Sequence, residues 1–304
     1  MSRNACAIIF MAAAIGFGTP ALAQDMEPRA YSNAPIGLNF LIVGYAYTRD
    51  GVAFDTALPI TDTELETSSA VLGYGRVLDI AGKSAKLNIV VPYTDLSGTA
   101  QFAGRPQSRD ITGFADPSVK LSVNLYGAPA LSLKEFAAYR QDLIVGASLR
   151  VTIPVGQYDN TKVVNLGSNR WSFKPEVGVS KAIGPWTLEG TAAVTFYTDN
   201  TDFFGGNTRS QDPLYSVEGH VIRSFGSGVW GSLDATYYNG GRSTINGQLN
   251  SDLQQNWRIG GTQAFPRRVH DSLKRYASSG VSARTGNNFD LLGIAWQRRW
   301  GAGL

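Results

Sequence analysis

The fold is decided by residues 143–155, LIVGASLRVTIPV, and by residues 186–198, WTLEGTAAVTFYT. In both stretches, apolar residues alternate with polar or small residues at a period of two. Successive side chains of a strand point to opposite faces, so each stretch forms a wall with one apolar and one polar face. A soluble sandwich would turn the apolar face inward, whereas an outer-membrane barrel turns it outward to lipid.

The first residues indicate export of the chain. Arg3 supplies a positive charge, residues 5–17 form an apolar run, and Ala21-Leu22-Ala23 is a small-x-small cleavage site. The run is shorter than the ~20 residues that a membrane-spanning helix needs, which favours a cleaved signal peptide over an N-terminal anchor. We therefore predict a signal peptide over residues 1–23 and a single barrel domain over residues 24–304.

Composition excludes several classes of protein. Cys6, inside the predicted signal peptide, is the one cysteine in the sequence, so the mature chain has neither disulfides nor a thiol nucleophile. No later segment approaches 18 consecutive apolar residues, which excludes helical membrane spans. The net charge of +3 is small and no basic run is interleaved with aromatic residues, so we expect no nucleic-acid partner. A content of 34 Gly, 13 Tyr, 14 Phe and 6 Trp instead suits alternating strands.

Twelve strand-length segments with this character follow one another along the chain. They are Ile36–Tyr47, Ser68–Ile80, Ser84–Tyr93, Ser118–Tyr126, Leu143–Val155, Trp171–Ala182, Trp186–Thr198, Tyr215–Phe225, Val229–Tyr238, Gln254–Phe265, Ser272–Arg284 and Phe289–Trp300. The connections alternate between long polar loops and tight turns, with residues 130–140, a short helix or a longer connection, as the main exception. This sorting of loops is typical of outer-membrane barrels. We predict an all-β fold, an antiparallel up-and-down transmembrane barrel of about 12 strands (10–14) in the bacterial outer membrane.

Four motifs carry a resemblance to a known family. They are Gly113-Phe114-Ala115-Asp116-Pro117, Ile153-Pro154-Val155-Gly156-Gln157-Tyr158-Asp159, Asn165-Leu166-Gly167-Ser168-Asn169-Arg170-Trp171 and Trp296-Gln297-Arg298-Arg299-Trp300-Gly301. With them the chain resembles the outer-membrane transporter family named after the meta-pathway of phenol degradation. The resemblance implies passive uptake of small hydrophobic or aromatic compounds, a lipid surround and insertion by the barrel assembly machinery. The chain departs from the family pattern at Ala115, where glycine is expected, and at its non-aromatic end.

If the apolar faces contact lipid, the charged residues and the histidine on the opposite faces of the strands are candidates for lining the lumen. They are Lys86, Lys120, Arg150, Lys174, Glu176, Glu189, Glu218, His220, Asp234, Arg258 and Arg299. The acidic residues come from four successive strands and most of the basic residues from the others. Opposed charged walls across a water-filled pore would orient a polar solute. The alternative is that these charges pair as salt bridges and fill a narrow barrel.

Two other classes of function are open to this sequence. A structural or adhesive barrel would keep its lumen closed and act through its loops. A membrane-embedded lipid hydrolase would need a nucleophile beside His220 or His270, but neither follows a recognisable motif and no Gly-x-Ser-x-Gly elbow is present. Without a His/Cys cluster or an Asp-rich calcium loop, we expect neither a metal nor another cofactor. A non-enzymatic channel is therefore our first prediction.

Overall fold

The computed structural model describes residues 27–49, 57, 60–286 and 288–304; the predicted signal peptide lies outside these residues. Within them the chain forms seventeen strands and one short helix. In chain order these are β1 (Leu38–Arg49), β2 (Ile60–Ile80), β3 (Lys83–Phe102), β4 (Arg105–Phe114), β5 (Ser118–Tyr126), α1 (Leu133–Phe136), β6 (Leu143–Thr152), β7 (Ser172–Ile183), β8 (Trp186–Tyr197), β9 (Asn200–Phe203), β10 (Asn207–Gln211), β11 (Leu214–Gly226), β12 (Val229–Gly240), β13 (Ser243–Ile245), β14 (Gln248–Leu249), β15 (Gln254–Pro266), β16 (Asp271–Ala283) and β17 (Asp290–Gly301).

Twelve of these strands close into a barrel. The large sheet of the described chain has thirteen strands, of which β4 pairs with the outer half of β3 and leaves twelve in the ring. The ring closes because β1 pairs with both β2 and β17, and every pairing between its strands is antiparallel. Leu38 lies opposite Gly301, which places both ends of the barrel sheet at its short-turn end. The predicted antiparallel barrel of about twelve strands is confirmed.

The direction of the two faces is also as the alternation predicted. Leu149 and Leu188 are each 45% exposed on the outside of the barrel. Their neighbours Arg150 and Glu189 point to the other face, and Glu189 is buried. Since a closed sheet has no free edge, its backbone groups are paired within the wall and its apolar side chains can face lipid. The sandwich alternative is excluded.

The strands on the long-loop side extend further than the pattern indicated. Residues 60–67 and 94–110, predicted as loop, belong largely to β2, β3 and β4. Most residues of these arms are polar, because an arm that lies beyond the membrane has no face toward lipid, and this conceals the strand signal. Leu65, Leu96 and Ile111 pack there with two residues of the β6–β7 connection in a small apolar core.

At the short-turn end, residues 130–140 contain the one-turn helix α1 between β5 and β6. Ser132 caps it: the Ser132 hydroxyl accepts a hydrogen bond from the Glu135 amide, and the Glu135 carboxylate accepts one from the Ser132 amide at 2.9 Å. The Ser132 hydroxyl, which also donates to the Glu135 carboxylate at 2.7 Å, and the Ser132 amide hold the pKa of this exposed carboxyl below its usual value. The part of the chain that the structure describes contains no helix long and apolar enough to cross a membrane.

Candidate functional site in the barrel lumen

The structure turns most of the predicted lumen-lining side chains away from lipid. Eight of them are buried: Lys86, Lys120, Glu176, Glu189, Glu218, His220, Asp234 and Arg258. Arg150 and Lys174 are half-buried. Arg299 lies at the short-turn end, where its guanidinium donates to the Val269 carbonyl at 2.7 Å, away from the centre of the lumen.

The basic residues form a row across neighbouring strands. Lys120 on β5 lies opposite Arg150 on β6, and Arg150 lies opposite Lys174 on β7. The acidic group begins directly beside this row. Lys174 Nζ lies 3.4 Å from Glu218 Oε1, and Lys120 Nζ lies 3.4 Å from Glu176 Oε1. Basic and acidic side chains are therefore in contact at β7. In this part of the lumen the charges pair as salt bridges, as in the second of the two alternatives drawn from the sequence.

His220 is held between two carboxylates. Its Nδ1 lies 2.8 Å from Asp234 Oδ1, and its Nε2 lies 3.7 Å from Glu218 Oε2. The hydroxyls of Ser232 and Thr262 donate to the other oxygen of Asp234 at 3.1 and 3.3 Å. A Ser-His-Asp relay would place a serine hydroxyl at Nε2. Here a carboxylate faces that nitrogen, an arrangement that orients the ring and balances charge. Among residues 27–49, 57, 60–286 and 288–304, no three His, Cys, Asp or Glu side chains converge as a metal site.

The sequence prediction missed the N-terminal segment, residues 27–35, which enters the lumen from the short-turn end. Glu27 forms ion pairs with Lys120, at 2.7 Å, and with Arg150. The backbone amide of Arg29 donates to the Glu189 carboxylate at 2.6 Å, and its guanidinium lies over the Trp230 ring. This N-terminal segment supplies partners for both charged groups of the wall.

Tyr31 is the centre of this segment. Its side chain is 1% exposed, and its hydroxyl donates to Glu176 Oε1 at 2.8 Å. The ring lies against Gly146 and Gly178, which are opposite each other on β6 and β7. A Cβ at Gly146 would lie 2.2 Å from Tyr31 Cδ1, and a Cβ at Gly178 would lie 2.1 Å from its Cε2. The alternation predicts both glycines on the lumen face. Inward glycines in a strand often mark a site where another group approaches the backbone closely, and this was the one sequence feature that pointed to the contact.

Three of the four family motifs meet at the long-loop end of the wall. The Asp116 carboxylate accepts hydrogen bonds from the Gly156 amide at 2.8 Å and from the amide and hydroxyl of Ser168 at 2.7 and 2.6 Å. The Gln157 amide donates to the Phe114 carbonyl at 2.8 Å. Asp116 therefore ties the β6–β7 connection to the end of β4.

Beside this junction, a polar recess of about 710 Å³ opens to the outside. Its lining includes Arg109, Gln157, Asp159 and Asp202. The side chain and the backbone amide of Thr161 donate to the Asp159 carboxylate at 2.7 and 2.9 Å and hold the pKa of Asp159 below its usual value. The recess is thus lined mainly by polar groups at the long-loop end of the barrel.

The arrangement of these motifs agrees with a comparison to known families. Residues 47–296 match the sequence profile of the family described as the MetA-pathway of phenol degradation. The chain belongs to this family. The match covers all the strands of the barrel except most of β1 and the last residues of β17. None of the curated proteins matches the sequence of this family member significantly.

Solved structures place the fold of this phenol-degradation family member among outer-membrane barrels. The COG4313 outer membrane channel from Pseudomonas putida F1 is 20% identical, with a TM-score of 0.77 over 91% of this chain and 100% of that one. The transport unit of the autotransporter AIDA-I from Escherichia coli is 8% identical, with a TM-score of 0.52 over 91% and 93% of the two chains. The β-domain of the Bordetella autotransporter BrkA is 9% identical, with a TM-score of 0.50 over 87% and 100%. The chain is a bacterial outer-membrane β-barrel.

Proposed function

We propose that the barrel is a non-enzymatic channel for passive uptake of small hydrophobic or aromatic compounds, with the N-terminal segment as its gate. The single observation that carries this proposal is how residues 27–35 are held. Apart from hydrogen bonds near its junction with β1, the segment is attached to the barrel wall through contacts that involve side chains. The strands of the wall pair with one another and do not need the segment for their pairing. Its departure would open the lumen and leave the barrel intact. Membership of the family named after phenol degradation supports aromatic solutes.

The polar wall is compatible with the passage of aromatic solutes that carry a polar group. A lumen lined by Lys120, Glu176 and their neighbours stays hydrated once the segment leaves, because charged side chains retain water. An aromatic compound with a polar group could cross this lumen with its polar group solvated. We infer that the wall orients and passes solutes and does not transform them, since His220 faces Glu218 and Asp234 and not a nucleophile.

The occluding segment also supports a second candidate, a structural barrel with a closed lumen. Conductance of the purified protein in planar bilayers separates the two candidates. We expect brief openings for the wild-type protein and long openings for a Glu27→Gln, Tyr31→Ala double variant, which loses contacts of the segment to both β5 and β7. A Lys134→Gln variant, on the exposed helix α1, is the matched control.

Uptake by cells is the second arm of this experiment. Cells that lack their general porins and express the wild-type protein should take up radiolabelled phenol or benzoate faster than cells without it. If neither protein conducts and uptake equals that of cells without the barrel, the channel is excluded and the structural barrel remains.

We further propose that the chain reaches the membrane after cleavage at residue 23 and is inserted by the barrel assembly machinery, with residues 24–304 as one domain. N-terminal sequencing of protein from isolated outer membranes tests the cleavage. Depletion of the assembly machinery should leave the mature chain unfolded in the periplasm. A mature protein that still begins at Met1 would refute the predicted signal peptide.

A further inference from the structure

The position of Tyr31 defines a slot in the barrel wall. Two neighbouring cross-strand pairs of β6 and β7 build it: Gly146 opposite Gly178, and Ser148 opposite Glu176. The two glycines form a flat floor, since neither has a side chain that would lift the ring from the backbone. The serine and the carboxylate stand at one end of this floor. The slot therefore has a flat floor and a polar end.

The polar end is arranged to accept a hydrogen bond from a hydroxyl group. Glu176 is buried, and its Oε1 accepts from the Tyr31 hydroxyl at 2.8 Å. Ser148 Oγ lies 3.4 Å from both the Tyr31 hydroxyl and Glu176 Oε1. Lys120 balances the carboxylate charge from 3.4 Å. A group that occupies the slot without a hydroxyl would leave the buried carboxylate oxygen without this partner, at a cost in binding.

All four residues that form the slot belong to the barrel wall, whereas its occupant belongs to the N-terminal segment. Pairing of β6 with β7 maintains the floor and the polar end when the segment leaves. The side chain of Tyr31 is chemically a phenol with a methylene attached at the position para to the hydroxyl. The slot therefore holds, in the closed barrel, a ring and hydroxyl of the kind that a free phenol carries.

We propose that this slot is a binding site for phenols in the lumen and that Tyr31 is a tethered occupant which a phenolic solute displaces. The inference rests on the proposed function for the entry of the solute, and it adds the chemical class and the site. Displacement couples binding to opening, because a solute in the slot prevents the segment from returning. Tyr31 competes at the effective concentration of a short tether, about millimolar, so phenols act on the wild-type barrel at comparable concentrations.

The experiment measures binding of 4-fluorophenol by fluorine NMR to purified, folded barrels in detergent, with empty micelles subtracted. Tyr31→Ala empties the slot. The double variant Tyr31→Ala, Gly178→Val refills it, since a Cβ at residue 178 lies where the ring was. Because valine is well tolerated in strands, heat-modifiable gel mobility should show that both variants fold. If the valine variant does not fold, Gly178→Ala takes its place.

We expect Tyr31→Ala to bind 4-fluorophenol about 10- to 100-fold more tightly than it binds 4-fluorotoluene, the ratio set by a hydrogen bond to a charged acceptor. We expect the wild-type barrel and the refilled variant to bind the phenol at least about 10-fold more weakly than Tyr31→Ala does. Equal binding by Tyr31→Ala and its refilled variant, or equal binding of the phenol and the toluene, would overturn the proposal.

Conductance of the same proteins keeps this proposal distinct from the channel. Specific binding without conductance by any variant would retain the phenol site and remove the channel. Conductance without a difference in binding between Tyr31→Ala and the refilled variant would retain the channel and remove the phenol site.

Discussion

Replacing Gly178 by alanine should push Tyr31 off the barrel wall and release the N-terminal segment. An alanine Cβ would lie 2.1 Å from Tyr31 Cε2, whereas carbon atoms in contact stay about 3.5 Å apart or more. The ring must therefore move by roughly 1.4 Å. It cannot slide along the floor, because Gly146 lies as close to its other edge. The ring has to rise away from the wall, which lengthens its hydrogen bond to Glu176.

Overpacking of this kind costs about 1–3 kcal/mol, a shift of roughly 5- to 150-fold in the ratio of docked to released segment. The strands of the barrel keep their pairing, and the one wall side chain near the new Cβ, Thr191 with its Cγ2 at 3.0 Å, needs only a small shift. Most of the energy is therefore lost from the docked segment. The change should thus appear as exposure of residues 27–35 in a barrel that is otherwise folded.

Labelling of an introduced cysteine measures this exposure. Ser32 is buried within the segment, and Ser32→Cys is a small change in a mature chain predicted to contain no other cysteine. Adding Gly178→Ala should raise the rate of maleimide labelling at residue 32 by the same 5- to 150-fold. Gly190→Ala is the matched control, because a Cβ there meets only a backbone oxygen at 3.9 Å. Labelling equal to that of the Gly190 control would refute the claim that residue 178 must be glycine for Tyr31 to dock.

Three further predictions concern other contacts. Glu27→Gln should raise the open probability in planar bilayers about 10-fold, because it removes a charge-assisted hydrogen bond to the basic row; unchanged gating, as in Lys134→Gln, would contradict it. Asp116→Asn should destabilise the β6–β7 connection by about 1–3 kcal/mol, since an amide cannot accept all the hydrogen bonds from Gly156 and Ser168; faster trypsin cleavage of that connection checks this, with Asp142→Asn as the exposed control. The lowered pKa of Asp159 means that its bonds to Thr161 stabilise the loop above the ordinary aspartate pKa and are lost as the pH falls through the folded value. Exchange of the Thr161 amide hydrogen should therefore accelerate in acid relative to the intrinsic rate, and no acceleration would show that the bond is absent in solution.

The barrel could be predicted from sequence because its signal is local. A period of two around Leu149 and Leu188 assigns one face to lipid wherever the strand lies in the sheet. The arms beyond the membrane were missed for the same reason. Beyond Thr94 and around Ser108 the outward residues are polar, so the apolar outer face that identifies a membrane strand is absent there.

The lumen was only partly predictable. The alternation of inward and outward residues in each strand places Lys120, Arg150 and Glu176 on the inner face. Several of their partners, however, belong to the N-terminal segment, which is far from these strands in sequence. Tyr31 meets Ser148 and Glu176 across separations of 117 and 145 residues. No local pattern reports such contacts. Inward glycines opposite each other on adjacent strands indicate that something packs closely against the wall, and they do not say what.

These separations set the order in which the barrel is assembled. The N-terminal segment is exported before any strand, yet the slot for Tyr31 does not exist until β6 and β7 have paired. Closing such long loops is slow compared with pairing of neighbouring hairpins. Docking of the segment therefore follows pairing of β6 with β7, and until it occurs the slot of a newly made barrel is without Tyr31.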